Sequence, residues 1–347
     1  MFARLFVLVF GCLALPAQAQ SVMYVDEDAG GAADGSSWED AYSTLQAALD
    51  EAKNAQGPLE IWVAQGTYLP TKRVNPSDGR TATFHLLDEV ALYGGFEGTE
   101  AIRSERDPDP TSNATVLSGD LGTVGFVGDN AYHVVTGSGT SRSAVLDGFT
   151  ITDGRANGSS YQDQDGAGMY NDDGSPTLRN CLFVENTAQG DGGGMYNVSE
   201  SRPLIVESVF RDNSAGFDGG GINNFYNSSP TLIGVEFLSN VSGDDGGAVE
   251  NWFNSAPTFI NVRFAGNEAD DSGGALANYS SDPTITNALF SGNVAEEGGA
   301  VANTESSPVF TNVTIAGNHA DGDFLGGEGG GLSNTDISFP QIRNSIL

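Results

Sequence analysis

The chain has 347 residues, of which 46 are Asp or Glu and 14 are Lys or Arg, for a net charge of -32 at neutral pH. A charge of that sign and size argues against nucleic acid and anionic membrane surfaces as partners, since both repel it. Two cysteines are too few for a disulfide framework, and 47 glycines are too many for a solenoid of helices.

Residues 1 to 19 join a positive flank at Arg4 to an apolar core, Leu5 to Leu15, and a small-residue cleavage site at Ala17-Gln18-Ala19. This is the pattern of a secretory signal peptide, and it predicts export through the Sec pathway to the extracellular space or the outer-membrane cell surface. The apolar run is too short to cross a bilayer, so no transmembrane segment is expected in the mature chain. Only Cys181 then remains, and its column of Ser, Val and Ala predicts a small buried filler.

Residues 20 to 57 read as an N-terminal cap. Leu45, Ala48, Leu49 and Ala52 fall at helical spacing within Ala41 to Ala52. Ser37 is the expected N-cap, with Glu39 and Asp40 in the first turn. Such a helix would close the open end of a repeat protein, where core and strand edges are otherwise bare. Ile61-Trp62-Val63-Ala64 and Gly66-Thr67-Tyr68 read as the first coil.

Residues 58 to 160 are irregular coils. Short strands are expected around Phe84, at Val90 to Tyr93, Thr115 to Leu117, Tyr132 to Val135 and Val145 to Ile151. Turn-rich insertions such as Arg103 to Asn113 separate them. Insertions in a solenoid gather on one face, which is often the binding face.

Residues 161 to 347 repeat a unit that opens on a Gly-Gly turn and closes on Phe-x-x-Asn. Its first Asn recurs at 171, 197, 224, 251, 278, 303 and 334, and its Pro at 176, 203, 230, 257, 283, 308 and 340. The closing Phe recurs at 183, 210, 237, 264 and 290, with Ile315 next, and the second Asn at 186, 213, 240, 267, 293 and 318. The step is 25 to 27 residues, apart from one longer insertion before Gly329. After each Pro, apolar and polar residues alternate with period two, then slip where Asn180, Asn261, Asn287, Asn312 and Asn344 stand. A half-buried strand followed by a left-handed bend explains both. One coil cannot bury its apolar face alone, whereas stacked coils can, with strands pairing in parallel about 4.8 Å apart. The fold class expected is all-β: a right-handed parallel β-helix solenoid with a short N-terminal capping helix. Leu347 aligns with the Phe column, so the chain stops in mid-coil and is expected to be incomplete at its C-terminus.

Gly-Gly-Ala-Val/Leu followed by Phe-x-x-Asn resembles the repeat of the chlamydial polymorphic outer membrane proteins, from about residue 165 onward. With the N-terminal Asp-Gly-Ser-Ser-Trp and Ile-Trp-Val-Ala-x-Gly-Thr-Tyr, it also resembles secreted bacterial right-handed β-helix proteins of the pectin-lyase-like fold. The first resemblance implies a surface-displayed, non-catalytic structural or adhesion module. The second implies a polysaccharide lyase or glycoside hydrolase, and leaves the same fold open to catalysis.

Two columns are candidate sites. Acids precede the Gly-Gly turns at Asp165, Asp191, Asp218, Asp245, Glu297 and Glu328, and a second set stands one residue earlier at Asp244, Asp271 and Glu296. Stacked about 5 Å apart, neighbouring carboxylates repel by about 0.8 kcal/mol even in water. Asp218, Asp244, Asp245, Asp271, Glu296 and Glu297 are therefore candidate ligands for Ca²⁺, which favours carboxylate oxygen. A solvated turn would show the same acids. Phe225, Trp252 and Tyr279 occupy one position in three successive coils and could present flat platforms to extracellular polysaccharide or a cell-surface glycan. Aromatic stacking over the Asn column would give the same pattern. His85, His133 and His319 are scattered without ligand or triad spacing, and basic groups for a lyase are few.

Overall fold

The computed structural model describes residues 21–55, 57–321 and 329–347; the expected signal peptide and Glu328 lie outside them. Four sheets of eleven, nine, nine and seven strands wrap one core. Every strand pairs in parallel with its equivalent one coil away, as Thr177–Arg179 does with Leu204–Val206. Each coil visits a face after the Pro, a face carrying the Phe, a short face, and the face after the Gly-Gly turn. The parallel all-β solenoid expected from the repeat is therefore present.

Backbone conformation turns the corners. Asn180, Asn261, Asn287, Asn312 and Asn344 all have φ between 47° and 56°, the left-handed bend their position predicts. In two coils Glu207 and Gly234 take that place, also at positive φ. At the Gly-Gly turn the first glycine has φ of 59° to 69° from Gly166 to Gly329. The second is required by crowding instead. A Cβ on Gly247 would collide with the carbonyl oxygens of Gly274 and Glu268, both backbone atoms of the next coil. Gly247→Ala is expected to cost about 3 kcal/mol, the upper end for overpacking, read from chemical denaturation.

Inside, Phe183, Phe210, Phe237, Phe264 and Phe290 are fully buried and stack with centroids 4.6 to 5.2 Å apart. Two buried Asn ladders run beside them. In one, each side-chain amide from Asn186 to Asn293 donates to the next Asn Oδ1. In the other the same rule holds from Asn171 to Asn303. A third ladder, of Ser201, Ser228, Ser255, Ser281 and Ser306 two residues before each Pro, caps the backbone N–H of the preceding coil. These contacts satisfy the polar groups that a narrow core would otherwise strand. Cys181 is buried as expected, and burial pushes its thiol up to about 12.

The capping helix is shorter than the pattern suggests, at Leu45–Ala52, with Leu45, Ala48, Leu49 and Ala52 buried. Its N-cap is Thr44, whose hydroxyl accepts from the Ala47 N–H. Ser37 instead accepts from the Asp40 N–H. The helix cannot start sooner because Tyr42 is held extended, its backbone bonded to Tyr24 and Asp26. A strand at Ser21–Val25 already lies on the Pro face, pairing with Leu59–Val63 one rung ahead of the expected first coil. The Arg103 to Asn113 insertion is fastened by a buried pair, Arg106 Nη2 to Asp147 Oδ1 at 2.7 Å. Among the described residues, no helix is long and apolar enough to cross a membrane.

Candidate functional site: an acidic column beside an aromatic strip

The Gly-Gly turn stacks Asp165, Asp191, Asp218, Asp245 and Ser272 one above another. Each carboxylate accepts the backbone N–H of the next member, at 2.9 to 3.2 Å. One oxygen of each Asp is thus used to build the turn. The column is half-buried, so desolvation raises every pKa in it, and the neighbouring carboxylates add to the shift from Asp191 onward. Asp165 is pushed up to about 6, and Asp191, Asp218 and Asp245 to about 7.

The structure adds a residue that the spacing of acids does not reveal. Glu250 lies on the adjoining strand Val249–Trp252, where other coils place Tyr196, Asn223 and Ala277 in register. It is only 2% exposed. Burial first, then the charges of Asp218, Asp191 and Asp245, push its carboxyl well above the usual range. Its one clear signal is being the lone acid in that strand column. Asn223 Nδ2 donates to Glu250 Oε2 at 2.5 Å, while the buried Asn223 Oδ1 has no partner.

Oxygens of Asp218, Asp245 and Glu250 lie within 4.8 Å of one another, and so do those of Asp244, Asp245 and Asp271. Ca²⁺ binds oxygen at about 2.3 to 2.6 Å, so ligands across one ion stand up to about 5 Å apart and both triads fit it. Asp245 is shared. Asp244 and Asp271 are exposed, and Asp244 is raised by partial burial and by Asp271. Glu296 and Glu297 continue the column but join neither triad.

The aromatic candidates sit at the end of the same strands. Phe225 is half-buried and Trp252 is exposed, with centroids 5.5 Å apart. The following residues enlarge the strip: Phe253 stacks on Trp252 at 4.8 Å and 13°, and Tyr226 packs on Phe225. Tyr279 does something else, donating its hydroxyl to Asp245 Oδ2 at 2.9 Å and so tying strip to column. Tyr226 and Phe253 have φ of 53° and 51°, where the other coils place Asp173, Ser199, Ser280, Glu305 and Asp336. A bulky residue in that conformation is strained by about 1 to 2 kcal/mol. Yet Tyr226 is 55% exposed and Phe253 45%, so burial in the core does not explain the strain.

Two of the three histidines are brought together in space. His85 and His133 line one cavity at the N-terminal end of the Gly-Gly face, while His319 lies apart and exposed.

Comparison with known families agrees with this architecture. A family model described as "Right handed beta helix region" matches residues 134–345, and the match spans the regular coils, the acidic column and the aromatic strip. No curated protein and no solved structure is matched by the chain. Parallel coils of this geometry over more than half of the sequence make the chain a member of the right-handed β-helix family.

Proposed function

We propose that this protein is an exported structural and adhesion module that holds extracellular carbohydrate on the Phe225, Tyr226, Trp252 and Phe253 strip, with Ca²⁺ in the acidic column beside it. The observation that carries this reading is the pair of strained, exposed aromatics at positions other coils fill with small or polar residues. Flat exposed rings suit the apolar faces of sugars, and strain that burial in the core does not explain points to a functional demand. The leader-like N-terminus and the signature of stacked coils support a place outside the cell or on its surface. Tyr279, bonded to Asp245, makes an ion in the column a support for the strip.

A substitution that borrows the residue of another coil separates binding from folding. Phe253→Asp and Tyr226→Asp, which copy Asp173 and Asp336, are expected to leave thermal stability unchanged or slightly raised, since Asp tolerates left-handed backbone better than a bulky aromatic residue does. Trp252→Ala is expected to lower affinity for a retained polysaccharide about tenfold, the loss of one stacked aromatic contact. Binding that survives all three substitutions would remove the strip as the platform.

A second reading, a glycoside hydrolase, draws on one observation: carboxyl groups near pKa 7 in Asp218 and Asp245 are what a general acid needs. New reducing ends released from the retained polysaccharide would establish it.

A further inference from the structure

At the N-terminal end of the Gly-Gly face, residues 74–81 and 159–163 form two insertions outside the regular coil. A cavity of about 480 Å³ opens between them, and its size falls within the range of small-molecule sites. His85, Thr136 and Tyr170 are in register on successive rungs beneath it. The same outward column continues to Tyr196, Asn223 and Glu250.

The floor is neutral and amphipathic. His133 packs on Tyr170 at 5.1 Å, and Tyr170 stacks on Tyr196 at 5.7 Å. His133 Nδ1 lies 3.0 Å from the Gly166 carbonyl, which can only accept, so the proton sits on Nδ1 and Nε2 is left as an acceptor. Burial lowers the His133 pKa and pushes the Tyr170 phenol up to about 12, so neither is charged at neutral pH. His85 Nδ1 is 3.1 Å from Thr136 Oγ1, which leaves its outer nitrogen free as well.

The walls are rigid. Arg80 binds the carbonyls of Asn130 and Arg155 and the Asn157 side chain, and lies 4.3 Å over the Tyr132 ring. Tyr132 in turn donates to Asp78. One guanidinium therefore rivets both insertions together, with its Nε and Nη2 donors spent on the protein. Asp163 accepts from Ser160 Oγ at 2.6 Å. The carboxylates of Asp78, Asp163 and Asp172 line the cavity, and no Lys or Arg does.

We propose that this cavity is a second carbohydrate site, separate from the aromatic strip, that takes a neutral or amino sugar unit and rejects uronate, sulfate and phosphate groups. An aromatic and imidazole floor packs against a sugar ring, while two free imidazole nitrogens, a phenol and several hydroxyls bond its hydroxyl groups. Three wall carboxylates repel an anionic ligand at close range, and among the described residues no Lys or Arg lines the cavity to pair with one.

Calorimetric titration of the full chain, in millimolar Ca²⁺, tests this with gluco-, xylo-, manno- and chito-oligosaccharides against oligogalacturonate. At least one neutral or amino series is expected to bind and oligogalacturonate not. Tyr170→Ala is expected to weaken that binding about tenfold. Ser159→Trp, on an exposed wall position, is expected to block it without touching the fold, and serves if Tyr170→Ala destabilises the coil. Trp252→Ala, about four coils away, is expected to leave this binding intact. Binding that both cavity variants keep in every series, binding of oligogalacturonate in the cavity, or no binding by any neutral or amino series would overturn the proposal. A series lost in Trp252→Ala but kept by both cavity variants belongs to the strip and, if it is the sole series bound, overturns the cavity; a series lost in the cavity variants alone supports the cavity and leaves the strip's own ligand untouched.

Discussion

Millimolar Ca²⁺ is expected to raise the melting temperature by about 5 °C near pH 8 and to have almost no effect near pH 5, the shift for a site about 99% filled in a domain of this size. The reason lies in Asp191, Asp218 and Asp245, whose folded pKa values rise from 3.8 to about 7, and in Glu250, which burial raises well above its usual value. A raised carboxyl pKa means that the folded state binds the proton more tightly than the unfolded chain does. Its stabilisation is then complete below the unfolded pKa near 4 and is lost as pH rises through about 7. Without metal, stability is expected to fall over that window as the column ionises. Ca²⁺ takes the place of the lost protons above it and competes with them below it. Glu250→Gln removes the buried charge and one ligand together. It is expected to raise metal-free stability near pH 8 and to abolish most of the Ca²⁺ effect. A melting temperature indifferent to Ca²⁺ at both pH values would reduce the column to a set of turn-forming acids.

Asn240→Ala is expected to cost about 4 kcal/mol, measured by urea unfolding. Asn240 Nδ2 donates to the Phe210 carbonyl at 2.9 Å and to Asn267 Oδ1 at 3.0 Å. Its Oδ1 accepts from both the backbone and the side chain of Asn213. Truncation strips partners from groups that are fully buried and have no water to replace them. Asn287→Ala, in the exposed ladder with Asn261 and Asn312, loses solvated bonds and a preferred left-handed residue. About 1 kcal/mol is expected there. Equal costs at the two sites would mean that the buried ladder does not hold the coils in register.

Where the repeat keeps its step, position in the sequence becomes position in space. That is why the Phe stack, both Asn ladders and the left-handed bends are readable from residues 161 to 347. The column of Asp before each Gly-Gly turn is readable for the same reason. What spacing does not reveal is lateral contact between columns. Glu250 reaches Asp218 and Asp245 across a turn, and Tyr279 reaches back one coil to Asp245. Neither contact has a fixed separation that recurs. The helix start was displaced by a tertiary bridge to Tyr42 that outweighs local capping preference. The His85 and His133 cavity is hidden most deeply, because its rungs come from coils of unequal length. His85 pairs in register with Thr136, 51 residues away, and that separation matches no repeat.

The central claim, a module that binds carbohydrate without cleaving it, is tested most directly by incubating the mature chain and Ca²⁺ with immobilised neutral and acidic polysaccharides. Bound protein and newly formed chain ends are measured together. Retention on at least one neutral polysaccharide, weakened in Trp252→Ala and unaccompanied by new reducing or unsaturated ends, is the predicted result. New ends that vanish in Glu250→Gln or in Asp245→Asn would contradict it and place a catalytic centre in the acidic column.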